Sequence, residues 1–515
     1  MITRFKVKGF KNLYDVELYF GPFTCIAGSN GVGKSNLFDA LKFVGELANK
    51  TLLEAALSIR ETETDKRSKS LDIRNIFFND GQKYVDLIEF EVDLILPFKA
   101  IDDLGQLAEA TTTFVTYSLQ IKYNEETSPN GKNILEITHE KLRQLNQTEY
   151  KRTLQRMGFG KEWIKSVSGG VKRSASSFID SDNLNVFISQ DQTRGRNKSL
   201  LLKSLPRTIL STASAIETPT ALVCKREMES WRFLQLEPSA LRSADDVSES
   251  NQRIQANGSH LPATLYRLIH NEKQQKTVQV SIANRLTDLI DDIFEINVDK
   301  DDKRDILTLL LKGKDGNFLP ASSLSDGTLR FLALSIIEAD PTEQGLICLE
   351  EPENGIHPAR IPAILKLLQD IATDESLAFG NDNPLRQVII NTHSPLVVRE
   401  INDDTLLCAE PIPYRDEKNG HRFEGVIFKS LSDTWRTKNE LPPCTAVSKA
   451  TLFSYLNPQN IGQLADDEDD TPKIDTTAKK RKVKDRPEVL GQLALFPVYW
   501  VSKYEENKIR AHQRR

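Results

Sequence analysis

The feature that most narrows what this chain can fold into is eight residues long. Gly28-Ser29-Asn30-Gly31-Val32-Gly33-Lys34-Ser35 fits the pattern G-x-x-x-x-G-K-[ST], and it lies between two segments of different periodicity. Before it runs Phe23-Thr24-Cys25-Ile26-Ala27, an apolar stretch of the length of a buried strand. After it, Leu37, Ala40, Leu41 and Val44 recur at helical spacing. A glycine-rich turn from a strand into a helix lets backbone N–H groups converge on an anion, and the helix dipole favours the same charge. The spacing predicts a phosphate cradle. Lys34 is expected to reach the β- and γ-phosphates, and the Ser35 hydroxyl to ligate magnesium. A chance glycine turn would match the eight residues but not both flanks.

Composition sets the frame around that cradle. A chain of 515 residues, 39% hydrophobic and 27% charged, has room for one large α/β domain with insertions or for two to three domains. Its net charge of −5 gives no global attraction to nucleic acid, so any such contact must be regional. Cys25, Cys224, Cys348, Cys408 and Cys444 are scattered, with no C-x-x-C pair, which argues for a reducing cytoplasm and against a zinc site. No apolar run approaches membrane-spanning length, and the opening MITRFKVKGF alternates like a strand. The expectation is a cytoplasmic protein with no membrane partner.

Four segments follow from pattern changes. Residues 1–145 hold the cradle and two period-two stretches, Ile88, Phe90, Val92, Leu94 and Val115, Tyr117, Leu119, Ile121, Tyr123, the mark of half-buried antiparallel strands. Residues 58–70 between them read as a charged loop. Residues 146–302 form a basic and then helical insertion. Within it, 151–210 carry twelve Lys or Arg against four Asp or Glu, a net +8 that reads either as a solvated insertion or as a face for nucleic acid or an acidic partner. Helical spacing is read from Leu261 through Leu289, Ile290 and Ile293. Residues 303–430 return to α/β character. Residues 431–515 are an extension in which 465–487, acidic and then basic, read as an exposed linker. Its KKRKVK run resembles a nuclear-import signal, as Lys-rich linkers do by chance. Leu493 to Phe496 and Val498 to Val501 are apolar enough to dock on something.

Four short stretches complete a nucleotide site. Leu346-Ile347-Cys348-Leu349 is a buried-strand run ending in two acids: Glu350 is placed on the metal side and Glu351 on the attacking water. Leu324-Ser325-Asp326-Gly327-Thr328 precedes an apolar helix, which makes Ser325 its N-cap and leaves a positive helix end for an anion. His393 follows the short strand run Val388-Ile389-Ile390 at its carboxyl end, where open α/β sheets bind ligands, and reads as a γ-phosphate sensor. Lys11 follows the first strand, within reach of phosphate or ribose.

With these residues the chain resembles ABC-type ATPases of the RecF, SMC and OLD group. It is most similar to compact AAA-type ATP-binding proteins of bacterial anti-phage loci, the PtuA-like group of Septu and retron-linked systems. The matching positions are residues 28–35, Asn36, the signature Leu324 to Thr328, Glu350, Glu351 and His393. The resemblance implies an α/β fold of ABC-type ATPase head: a mixed or parallel sheet core with the P-loop, an antiparallel β lobe and a helical insertion. It implies two chains sandwiching two ATP molecules, each site completed in trans by the other chain's signature. It also implies ATP hydrolysis that regulates a separately encoded effector such as an HNH-type nuclease. Glu350 stands where most relatives have Asp, and Asp326 replaces a signature glycine, so its carboxylate is expected to turn back to its own helix N-terminus. A Q-loop glutamine is due, with Gln82, Gln120 and Gln144 as candidates. The alternative reading is a RecF- or SMC-like DNA-repair ATPase using 151–210 as its DNA face. A transporter subunit is disfavoured by ENGIHP after the acids, and a fused nuclease by the lack of an acidic constellation past residue 400.

Overall fold

The computed structural model describes residues 1–59, 73–124, 134–169, 177–189, 198–249, 252–270, 275–287, 293–313, 315–415, 420–448, 451–452, 481–486 and 489. Its centre is a six-stranded sheet in the order Arg232–Leu234, Gly345–Glu350, Arg386–Thr392, Phe23–Ala27, Leu406–Arg415, Arg422–Ser430. The first five strands run parallel and the last is antiparallel. Phe23–Ala27 and Arg386–Thr392 are buried along their whole length, because helices cover both faces of a parallel sheet.

Alternate residues of these strands feed two different cores. Ile26, Leu346, Cys348 and Ile389 pack on the side of the helix Lys34–Glu46 with Leu37, Leu41 and Val44. Cys25, Ala27, Ile347, Leu349, Val388 and Ile390 pack on the opposite side with the helices Asp326–Ala339 and Ile361–Ile371. The period of two in each strand thus sorts one sequence into two layers.

The first core is closed by an eight-stranded antiparallel sheet, Lys198–Leu201, Asn185–Ile188, Ser177–Ser181, Leu135–Gln144, Phe114–Tyr123, Leu87–Ile95, Ile2–Phe10, Leu13–Tyr19. Phe90 lies opposite Leu119 and Val92 opposite Tyr117, so the two alternating stretches seen in the sequence face each other on one side. Gln387, fully buried in the central sheet, ties the two sheets together. Its amide oxygen accepts from the Ile2 N–H at 3.0 Å, and its nitrogen donates to the Ile2 and Gly21 carbonyls at 2.7 and 2.9 Å.

Three sequence expectations change here. The segment 146–302 supplies an edge strand, Arg232–Leu234, to the central sheet, and strands to the antiparallel lobe. Ile293, read as helical, opens the strand Ile293–Asp301: buried Ile296 and Val298 alternate with half-buried Asn297 and exposed Glu295 and Asp299, and pairing with Ile306–Gly313 decides the conformation. Within the expected linker, residues 481–486 are docked on the body. Val483 is fully buried, its N–H donates to the Ile401 carbonyl at 3.0 Å, and Glu400 receives both Lys482 and Lys484 at 2.8 and 2.7 Å. One apolar residue with a pocket and an acid to neutralise its lysines outweighs the polar character of the stretch. The charged loop beyond Ile59, Leu289, Ile290 and the apolar segment from Leu493 lie outside the described residues. No helix among the described residues is long and apolar enough to cross a membrane.

Candidate active site

The cradle, the two acids and His393 all follow the carboxyl ends of adjacent parallel strands. Phe23–Ala27 leads into residues 28–35, Gly345–Glu350 into Glu351, and Arg386–Thr392 into His393. This is the edge at which an open parallel sheet presents loops and helix N-termini to a ligand. The helix Lys34–Glu46 begins directly on the lysine, behind Gly33 in the left-handed region at φ 109°. A Cβ at Gly33 would collide with the Asn12 side chain, so the residue must be glycine on both counts.

Lys34 is buried, and its Nζ donates to the Gly28 and Ser29 carbonyls at 2.6 and 2.8 Å. Burial holds its pKa below the usual lysine value, against the upward pull of Glu351, Glu350 and Glu353. An ammonium in this setting faces three acids across the cradle. Burial pushes the Glu350 pKa up, with Asp39 and Glu351 adding to the rise, while the nearby Ser35 and Asn391 side chains pull it down. The Ser35 hydroxyl and the Glu350 carboxylate are neighbours, hard oxygens of the kind Mg2+ takes. The residues fit the metal.

Glu351 occupies the left-handed region at φ 45°, uncommon for a residue with a side chain. Its N–H is held by Asn391, through the carbonyl at 3.0 Å and the side-chain oxygen at 3.2 Å. The carboxylate accepts from Asn354 Nδ2 at 2.8 Å and from His393 Nδ1 at 2.7 Å. Burial pushes its pKa up, but these two bonds and the charges of His393 and Lys34 outweigh burial and leave it below the usual value. An ionised carboxylate can only accept, so the His393 proton sits on Nδ1.

The other expected residues are placed less simply. Lys11, at φ 47°, pairs with Asp39 on the helix that follows the cradle. Its neighbour Asn12, which sequence reasoning passed over, holds the cradle itself: Nδ2 donates to the Val32 carbonyl at 3.0 Å, and Oδ1 accepts from Asn36 at 2.8 Å. Ser325 caps its helix, accepting from the Thr328 N–H at 3.2 Å. Gly327 is required by contact, since a Cβ there would lie 2.6 Å from the Gly355 carbonyl oxygen. The Asp326 carboxylate does not turn back to its own helix; it pairs with Arg242, a stronger partner than backbone N–H groups because it carries full charge.

The three glutamines proposed for a Q-loop are elsewhere. Gln120 and Gln144 lie on antiparallel strands, and Gln82 lies in the turn before Leu87–Ile95. Gln235 is the one that follows a parallel strand, Arg232–Leu234, next to the strand that carries the acids. It lines a cavity of about 270 Å³ with Glu350, Glu351, Arg330 and Asn354. A strand of three residues with no alternating pattern gave no signal in the sequence.

Residues 23–399 match the family model described as "AAA domain, putative AbiEii toxin, Type IV TA system". The chain belongs to this AAA family. The parallel sheet with its cradle, the antiparallel lobe and the helix behind Ser325 are consistent with the layout expected of an ABC-type ATPase head. No curated protein matches it. Solved structures that match include an SMC head bound to the C-winged helix domain of ScpA, at 13% identity and TM-score 0.41, covering 84% of this chain and 98% of that one. The SMC head domain from Thermotoga maritima matches at 11% and 0.34, covering 83% and 98%. An Smc head domain with an extended coiled coil, bound to the C-terminal domain of ScpA derived from Pyrococcus furiosus, matches at 12% and 0.38, covering 85% and 99%.

Proposed function

We propose that the chain binds and hydrolyses ATP as a switch, two copies closing on two nucleotides, and that in a bacterial anti-phage system the switch regulates a separately encoded effector, a nuclease of the HNH type. The observation that supports hydrolysis best is the Glu351–His393 pair: an ionised carboxylate held at a left-handed turn, beside the buried Lys34.

The chemistry assigned to these residues follows from that geometry. Lys34 exchanges the Gly28 and Ser29 carbonyls for the β- and γ-phosphate oxygens. Ser35 and Glu350 would hold Mg2+, which would neutralise phosphate charge when bound. Glu351 orients water for in-line attack and accepts its proton, and Asn354 keeps the carboxylate from swinging away. His393, held at Nδ1 by Glu351, has Nε2 left for the γ-phosphate, to which it donates when the ring carries both protons, so loss of that phosphate is felt at the same carboxylate. Gln235, at the neighbouring strand end, joins the metal side of the site. ATP favours the closed pair and its hydrolysis the open one.

The family description names a toxin of a type IV toxin–antitoxin system, which supports a place in a defence locus. The effector contact is assigned to the basic 151–210 segment. Its exposed Arg152, Arg156, Lys161 and Lys165 lie on the helices Gln147–Arg156 and Lys161–Val167, and suit an acidic partner protein. Lys172, Arg173, Arg194 and Arg196 of that segment lie outside the described residues. The test is plaque counting on a host carrying the intact native locus or the same locus with Glu351→Gln. Protection by the intact locus alone supports the reading; equal plaque counts in both, with and without the locus, overturn the defence role. A purified chain that binds DNA with steep salt dependence, lost on neutralising those four exposed residues, favours the DNA-repair alternative.

A further inference from the structure

Between the two halves of the site runs a single short segment. It starts at Gln235, at the carboxyl end of the strand beside Glu350, and reaches the signature seven residues later at Arg242. The segment is fixed along its length. Gln235 and Glu237 N–H groups donate to the Ala256 and Asn257 carbonyls at 2.7 and 2.8 Å, and Leu241 is fully buried. Arg242 donates to the Pro238 carbonyl at 3.1 Å, to the Leu324 carbonyl at 2.9 Å, and to the Asp326 carboxylate. One guanidinium therefore holds both the backbone before Ser325 and the acid after it.

The return path is also present. Arg330, one turn into the signature helix, donates to the Asn354 carbonyl at 2.9 Å, and the Asn354 side chain holds Glu351. Gly327 packs on the Gly355 carbonyl. The side-chain hydrogen bonds of residues 324–328 thus go to Arg242 and to one another, and among the described residues none goes to the cradle of the same chain.

We infer that Arg242 is a positioning residue of the composite ATP site: it shapes residues 324–328 for the partner copy's γ-phosphate and cancels the negative charge that Asp326 would otherwise present to it. This rests on the two-copy reading of the site. A carboxylate in place of the usual glycine repels a phosphate unless it is neutralised, and Arg242 is the cation that does so.

The tests are Arg242→Ala, Arg242→Lys, the exchange Arg242→Asp with Asp326→Arg, and mixed dimers. Arg242→Ala is expected to bind ATP with unchanged affinity and to lose about a hundredfold in kcat, the size of effect that misplacing a contributing group produces. Arg242→Lys, which keeps the charge but not both contacts, should fall between, and the charge exchange should recover part of the loss. An inert exchange together with a wild-type rate for Arg242→Ala would overturn the inference. Mixing Arg242→Ala with Lys34→Ala chains separates a role in trans from one within the chain. One composite site then carries both lesions and the other neither, so activity returns. A control mixture of Ser325→Arg with Lys34→Ala tests the two-copy reading itself. If the control recovers activity and the Arg242→Ala mixture does not, Arg242 acts within its own chain and the inference fails alone. If the control also fails, the two-copy reading is wrong and the inference falls with it.

Discussion

The antiparallel lobe and the parallel sheet both bury acidic side chains, and they treat them in opposite ways. Glu140, on the strand Leu135–Gln144, is fully buried. Its two oxygens accept from the Ile209 and Leu210 N–H groups at 2.8 and 2.9 Å and from the Tyr117 hydroxyl at 3.1 Å. Every donor comes from an element the acid fastens to its strand. At the parallel edge, Glu353 accepts from Thr392 with one oxygen and keeps the other buried without a partner, and Glu351 sits at an unfavourable backbone angle beside it. Saturated acids hold a fold together. Acids with coordination to spare, gathered where three strands end, mark a site kept ready for other atoms.

Four changes probe that contrast. Glu351→Gln removes the charge that orients water while leaving the cradle, so turnover should fall by about 10³- to 10⁴-fold with ATP affinity retained; phosphate release beside calorimetry measures both, and near wild-type turnover would remove Glu351 from its assigned role. Lys34→Ala should weaken ATP binding by about 2–5 kcal/mol, the loss expected when one member of a buried charge pair is truncated. Calorimetry showing unchanged affinity would contradict the cradle.

Glu140 predicts a stability effect with a definite sign. Burial raises its pKa from 4.5 in the unfolded chain to about 7 in the folded one. The folded state then holds the proton more tightly, so the stability this group contributes is complete below about pH 4.5 and lost as pH rises through about 7. The span is about 3 kcal/mol. Denaturant melts from pH 5 to 8 should show that part of the slope in the wild type and not in Glu140→Gln, while ATP turnover of the variant is unchanged. A variant with the wild-type slope would show that Glu140 does not titrate as described. The smallest effect is expected from Asn12→Ala. Losing its bonds to Val32 and Asn36 loosens the cradle without touching phosphate, which should weaken ATP binding by about 1 kcal/mol, on the order of fivefold. A loss as large as that of Lys34→Ala would make Asn12 a direct ligand.

What the sequence made legible was whatever carried its own periodicity or its own motif. The run Phe23 to Ala27, the helix behind Lys34 and the facing pairs Phe90–Leu119 and Val92–Tyr117 are written as apolar spacing, and a buried sheet needs little else. Glu351 and His393 were readable because each follows a strand run directly. Their mutual hydrogen bond was not, since forty-two residues separate them and only the parallel pairing of their strands brings them together. Gln235 gave no signal because a three-residue strand has no period, and Arg242 gave none because the four-residue helix before it is too short to show one. Asp326 misled because its partner lies eighty-four residues away in sequence. Residues 481–486 misled because composition averages over a stretch in which buried Val483 and Arg486, and the ion pairs to Glu400 and Asp403, set the docking.

In the proposed switch, ATP joins two copies of this chain through sites neither completes alone. Molar mass by light scattering on purified Glu351→Gln, without nucleotide and with saturating ATP and Mg2+, tests it most directly. The expected result is one copy without nucleotide and two with it, and one copy again when Ser325→Arg is added to the same chain. A chain that stays at one copy with ATP bound, while the unmutated protein hydrolyses ATP at a rate independent of protein concentration, would contradict it.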